Sequence, residues 1–204
     1  MTTQRISLFP LAGALLFPGS HLPLHIFEPR YRALVSDALA RDRLIGMIQP
    51  CDDRPRPALY DVGCLGRITD CETLEDGRFN IILEGVARFR TVRELDVATQ
   101  FRQVEAEVEQ AGGMSEPLAP EVRAAVGKEA RRFAEHLGYV VDWSAVSRLD
   151  DETLVNGIAQ VAPFDVASKQ SLLEADSLAE RVERTIQLMQ FYGLTSGDGP
   201  TTLQ

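Results

Sequence analysis

The chain opens with Leu8-Phe9-Pro10-Leu11, then Leu16-Phe17-Pro18-Gly19, then Leu22-Pro23-Leu24-His25-Ile26-Phe27-Glu28-Pro29-Arg30-Tyr31-Arg32. Apolar residues run into proline again and again, and proline fixes φ near about −65° and offers no backbone N–H. Short extended pieces therefore alternate with forced bends, the pattern of a small β-domain with proline corners. At Glu28-Pro29 the pattern turns helical, because proline suits a first helical turn whose N–H has no partner anyway. Tyr31, Leu34, Val35 and Ala38 follow at helical spacing as one apolar stripe. Arg30, Arg32, Asp37 and Arg41 fall largely off that stripe.

Working outward, the rest of the first half reads as strands and turns. Arg5–Phe9, Leu22–Ile26 and Leu44–Gln49 are short apolar runs ended by Pro or Gly. Leu65–Leu74 and Arg78–Gly85 flank Glu75-Asp76-Gly77, and an Asp-Gly pair predicts a type I′ hairpin between them. Val86–Arg90 continues the second strand after a kink at Gly85. In Val104-Glu105-Ala106-Glu107-Val108-Glu109 apolar residues alternate with carboxylates, the period of a half-buried strand.

Ala111-Gly112-Gly113-Met114-Ser115-Glu116-Pro117 reads as a linker, and beyond it the period changes from 2 to 3.6. Val122, Val126, Ala130, Phe133 and Leu137 predict a helix ending at Gly138. Leu154, Val155 and Ile158 predict another, capped by Asp150 or Asp151 and stopped before Pro163. Asp165 caps a short helix with Val166, Leu172 and Leu173. Ser177 with Glu180 forms a capping box for the last helix, whose stripe is Leu178, Val182, Ile186, Met189 and Phe191 and whose end is Gly193. The expected organisation is an α+β chain: a β-subdomain over 1–110, a helical subdomain over 117–193 and a flexible tail over 194–204.

Charge narrows the function. The 204 residues carry 21 Lys and Arg against 30 Asp and Glu, a net charge of −9. Neither half is basic, so there is no footprint for a phosphate backbone and nucleic acid is not an expected partner. No run of 18 apolar residues exists, and prolines interrupt the N-terminal apolar stretch, so neither a membrane span nor a signal peptide is expected. Cys51, Cys64 and Cys71 are an odd set without CxxC spacing, read as reduced thiols of a cytoplasmic protein.

Phe9-Pro10-Leu11, Leu16-Phe17-Pro18-Gly19, Pro23 to Tyr31, Gly77-Arg78-Phe79-Asn80-Ile81 and Glu84-Gly85 resemble, in order and spacing, the N-terminal substrate-binding domain of the Lon proteases. Lys169-Gln170-Ser171-Leu172-Leu173-Glu174 is similar to the helical portion of that domain. The resemblance covers roughly residues 5–192. It implies a PUA-like antiparallel β-barrel with one inserted helix, followed by a C-terminal α-helical bundle. It also implies a module that binds unfolded or flexible protein segments, alone or with a protease or chaperone component. Lon carries a P-loop, yet no G-x-x-x-x-G-K-[ST] occurs here, and Gly127-Lys128 is followed by Glu129. No cofactor or catalytic residue is expected, and the partner and oligomeric state are left open.

His21 and His25 stand four apart, the spacing of a helical zinc pair, but Pro23 between them opposes a helix. With Cys51, Cys64 or Cys71 they could complete a tetrahedral site, but no tight ligand pair anchors one and buried structural groups are the plainer reading. An enzyme using the His/Cys set or a small pocket, and RNA binding through the barrel, are the alternative functions. Glu28 at the helix start is expected to accept orphan N–H groups, and Arg30 to bridge to an acid of the barrel. For binding, the proline-bent loops around Leu15, Leu16 and Phe17 and over Pro50–Leu59 are favoured, with Leu24, Phe27 and Tyr31 completing the candidate contact set. Gly77→Val should lower the melting temperature, since a β-branched side chain opposes the positive φ the hairpin turn needs; an unchanged melting curve would remove the turn assignment.

Overall fold

Alternation along the first strand, β1 (Thr2–Pro10), buries Ile6 and Leu8 on one side and leaves Phe9 to pack on the other. In the computed structural model, residues 2–109 and 116–195 are described; residues 111–115 of the expected linker 111–117 and residues 196–204 of the expected tail 194–204 lie outside them. The strands β2 (His21–Ile26), β3 (Leu44–Ile48), β4 (Val62–Thr73), β5 (Phe79–Glu94) and β6 (Gln103–Val108) complete one sheet. Its order is β2-β5-β4-β3-β1-β6, and β6 also pairs with β5, so the sheet closes on itself with β2 added outside the ring. Ile6, Leu8, Ile48, Leu65, Phe89, Val104 and Ala106 meet as its core.

The α+β class is as expected, but one pairing differs from the all-antiparallel arrangement. β1 and β3 run parallel, Leu8 opposite Gly46 and Pro10 opposite Ile48. β2 and the helix α1 (Pro29–Leu39) lie between them in sequence and make the long crossover that parallel strands need. α1 buries Tyr31, Leu34, Val35 and Ala38, the predicted stripe. Glu28 is its N-cap but makes no side-chain cap bond; its carboxylate pairs with Arg30 at 2.9 Å, so the expected roles of both residues are replaced by one local ion pair.

The hairpin between β4 and β5 also differs in detail. Only Gly77 has a positive φ, +76°, and Gly77 N–H donates to the Leu74 carbonyl while Leu74 N–H donates to that of Arg78. That is a three-residue loop with glycine in the left-handed position, not the two-residue type I′ turn. Farther along β5, Gly85 faces Gly66 and Ala87 faces Leu65, so Val86 is the extra residue of a bulge where the kink was expected.

The chain divides into two compact units, Met1–Gly113 and Met114–Gln204. In the second, α2 (Pro120–His136), α3 (Trp143–Val146), α4 (Asp151–Val161), α5 (Val166–Leu173) and α6 (Leu178–Thr195) surround Val126, Leu154, Val155, Leu178 and Val182. Asp150 and Asp165 cap α4 and α5, accepting from Thr153 N–H at 2.8 Å and Ser168 N–H at 2.6 Å. At α6, Ser177 Oγ accepts from Glu180 N–H, but the Glu180 carboxylate reaches back to Asp176 N–H, one residue beyond the capping box. Two apolar positions of the predicted stripes are exposed, Val122 at 38% and Phe191 at 60%. Tyr192 packs instead, its ring 5.2 Å from that of Phe164. Gly193 does not end α6, which runs on to Thr195. Among the described residues no helix is long and apolar enough to cross a membrane.

Two outcomes test this architecture. A β-carbon on Gly85 would strike the Phe17 carbonyl, a backbone atom that cannot swing away. Gly85→Ala should therefore destabilise the chain by about 1–3 kcal/mol in urea unfolding; a variant as stable as the parent would refute the contact. The caps carry a pH signature. Backbone N–H groups, led by that of Thr153 at Asp150 and that of Ser168 at Asp165, hold both carboxyls below their ordinary 3.8. A depressed folded pKa means stability that is full above about pH 4 and is lost as pH falls through the folded value. Asp150→Ala and Asp165→Ala should each cost about 1 kcal/mol at pH 7, and the gap from the parent should narrow in acid.

Candidate partner-binding face

β2 alternates strictly: Leu22 and Leu24 are half-buried and Ile26 is buried, while His21, Pro23 and His25 are exposed. Phe27 follows with the same parity and is 60% exposed. Across the pairing, Ile82 lies beside Pro23 and Asn80 beside His25. A polar ladder crosses three strands here. His25 Nδ1 lies 2.7 Å from Asn80 Oδ1, Asn80 Nδ2 donates to Glu72 at 2.7 Å, and Arg78 lies 3.2 Å from His25 Nε2. This suits the tautomer in which Nδ1–H donates to Asn80 and Nε2 accepts from Arg78. The Phe27 ring stacks against the imidazole at 6.2 Å and 26°. A large apolar ring thus stands out beside a fixed polar row.

The edge beside this face is blunted. Among the described residues β2 pairs only with β5. Gly85 N–H donates to the Ser20 carbonyl and Gly19 N–H to that of Gly85, so Gly85 turns its backbone toward β2. By alternation Leu83, Ile81 and Phe79 do the same, which leaves the backbone of His21, Pro23 and His25 on the open edge. Proline at its centre removes an N–H that an added strand would need. Contacts here therefore come from side chains.

Of the residues predicted for binding, the structure brings few to the surface. Leu15, Leu16 and Phe17 are 2% exposed or less. Leu24 turns to the inner side of β2 with Ile26. Tyr31 is buried with its ring 4.2 Å from Phe9, its hydroxyl donating to the Pro10 carbonyl at 3.1 Å; burial pushes its pKa up. Phe27 alone of the six is largely exposed. Pro23, His25, Asn80 and Ile82 join it, and stepping back by two from Phe27 was the sequence signal for Pro23 and His25. His21 and His25 are exposed rather than buried, and Cys64 is the one buried cysteine of the three. Among the described residues no group of three or more His, Cys, Asp or Glu is placed to hold a metal.

The second predicted loop, Pro50–Leu59, is closed at its base by a Pro50–Leu59 bridge and a Cys51 N–H bond to the Ala58 carbonyl. It forms one wall of a groove of about 610 Å³ with Tyr31, Glu94 and Phe101. Five of its charged groups pair with one another. Glu94 accepts from Arg102 at 2.7 Å and from Arg56 at 2.9 Å, and these guanidiniums, Arg102 foremost, hold its carboxyl below the usual range. The Arg54 guanidinium holds the Asp52 carboxyl down to about 2.

Comparison with known proteins agrees with this architecture. The model of the ATP-dependent protease La (LON) substrate-binding domain matches residues 5–190. A Lon protease 2 of Desulfotalea psychrophila is 28% identical over 197 residues, covering 92% of this chain and 25% of that protein. A Lon protease 2 of Myxococcus xanthus is 25% identical over 194 residues, covering 91% and 23%. The chain thus spans about a quarter of the length of the relatives it matches. Among solved structures, a Lon N-terminal domain protein from Xanthomonas campestris superposes with a TM-score of 0.67 at 22% identity, covering 90% of this chain and 98% of that one. The N-terminal domain of a Mycobacterium avium complex Lon protease also gives 0.67, at 18% identity and with 92% and 98% covered. With a family model matched over nearly its whole length, the chain belongs to the Lon substrate-binding domain family.

Proposed function

We propose that this chain is a non-catalytic recognition module that captures unfolded or flexible protein segments on the outer face of β2 and β5, with Phe27 as the anchor. The observation that carries the reading is Phe27 itself, a ring 60% exposed and stacked on His25, with the Pro23–Ile82 pair continuing the same face beyond the imidazole. A soluble chain gains by covering such a ring, and full burial of a phenylalanine contributes about 1.5–3 kcal/mol. Membership of a substrate-binding family supports a protein ligand over a small molecule. Because Pro23 blunts the edge, the segment lies across the face and is held by side chains. Affinity for one short segment is modest, since ordering a flexible partner offsets much of the contact energy. In this reading the chain itself neither hydrolyses ATP nor cuts peptides, and it hands its captive to a protease or chaperone component. A reducing cytoplasm suits three cysteines that form no disulfide among the described residues.

Fluorescence anisotropy with a labelled, reduced and carboxymethylated protein as a permanently unfolded ligand tests this. Phe27→Ser should weaken binding about tenfold while leaving the melting temperature unchanged, because an exposed ring contributes little to the core. Equal binding by parent and variant, or no binding by the parent, sinks the assignment.

A further inference from the structure

We propose that the groove between the N-terminal halves of α2 and α6 is a docking site for a basic amphipathic helix of a partner protein. The groove encloses about 830 Å³. Leu118, Val122, Ala125, Val182 and Ile186 form its floor, and Glu116, Glu121, Asp176 and Glu183 stand around it with no Lys or Arg in the lining. Among the described residues none of these four carboxylates pairs with a cation. The nearby arginines are engaged elsewhere: Arg123 with Asp151 at 3.3 Å, Arg184 with Glu180 at 2.5 Å, and Arg181 in the buried interior.

Helix ends explain only part of this charge. Glu121 sits in the first turn of α2, and Asp176 just precedes α6, where the dipole favours a carboxylate. Glu183 is a full turn into α6 and Glu116 lies ahead of α2, beyond that effect. Their common feature is the rim of an apolar groove, and a rim of one sign selects a ligand of the other.

The walls decide the shape of that ligand. Beyond the non-helical residues 116–119, 176 and 177 the lining is helix, whose backbone groups past the first turn are already bonded, so an extended segment would find few partners for its own N–H and C=O groups along the groove. A helix satisfies its backbone internally. The small side chains of Ala119, Ala125 and Ala179 leave a channel between α2 and α6 for the ridge of a third helix. Apolar and small residues on one face, with Lys or Arg on its flanks, match floor and rim together.

The site is independent of the Phe27 face, and the experiment keeps them apart. The probe is a capped helical peptide of about 16 residues with Leu and Ala along one face and Lys on both flanks; its controls replace Lys by Glu or by Gln. Anisotropy titrations with the whole chain should show saturable one-to-one binding of the Lys peptide, weakening with salt, and little binding of the Glu form. The double variant Glu121→Lys/Glu183→Lys should lose about tenfold in affinity with an unchanged melting temperature, and Phe27→Ser should lose none. Equal affinity for all three peptides, or for parent and double variant, overturns the proposal. So does sedimentation showing that the parent self-associates and the double variant does not, since the groove would then hold a second copy of the chain.

Discussion

The carbonyl of Phe17 rests where a β-carbon on Gly85 would be, and the strand unit is organised around that approach. It lets the Leu16-Phe17-Pro18-Gly19 bend close down on β5, with Gly19 N–H on the Gly85 carbonyl and Gly85 N–H on that of Ser20. Leu15, Leu16 and Phe17 are thereby driven into the interior, and β2 starts in register against β5. The bulge at Val86 follows directly and turns the second half of β5 toward β6, which closes the sheet. Register then dictates exposure: with Leu22, Leu24 and Ile26 facing inward, His21, Pro23, His25 and Phe27 have only the outer face.

The helical unit is held differently. Its apolar core is joined by buried polar groups whose bonds are internal. Arg181, 6% exposed, donates to the Leu172 carbonyl at 3.1 Å and to Asn156 Oδ1 at 2.8 Å, with Glu152 at 3.8 Å. Lys169 donates to the Gln160 carbonyl at 3.0 Å, and burial pushes its ammonium pKa down. Such groups cost desolvation and are tolerated because their donors are satisfied. They tie α4, α5 and α6 together at fixed positions, while the N-terminal halves of α2 and α6 keep an apolar groove with acids at its margin that pair with no cation among the described residues.

Much of the fold was legible because periodicity and punctuation are local. The apolar stripe of α1, the caps Asp165 and Ser177, and the glycine of the β4–β5 hairpin could each be read from a few neighbouring residues, while the choice between Asp150 and Asp151 at α4 needed the structure. Misreadings arose where two local rules competed. Glu28 could cap a helix or pair with Arg30, and the ion pair won. Gly193 looked like a stop, yet α6 continues through it, beside Phe133. The binding residues were harder, since a proline-bent apolar loop looks the same from sequence whether it is displayed or folded inward. Leu15 to Phe17 were folded inward.

The sequence by itself determined the class, the period of each segment, and the family to which the opening Leu-Phe-Pro and Phe-Glu-Pro-Arg-Tyr runs point. Those properties depend on contacts between near neighbours along the chain, or on backbone preferences of single residues. Only the tertiary structure decided that β1 and β3 run parallel, that Phe17 is core and Phe27 surface, and that four carboxylates from two distant segments share one groove. Each of these depends on residues far apart in sequence meeting at a particular distance, which pairing register fixes in the sheet and the packing of α2 against α6 fixes in the helical unit.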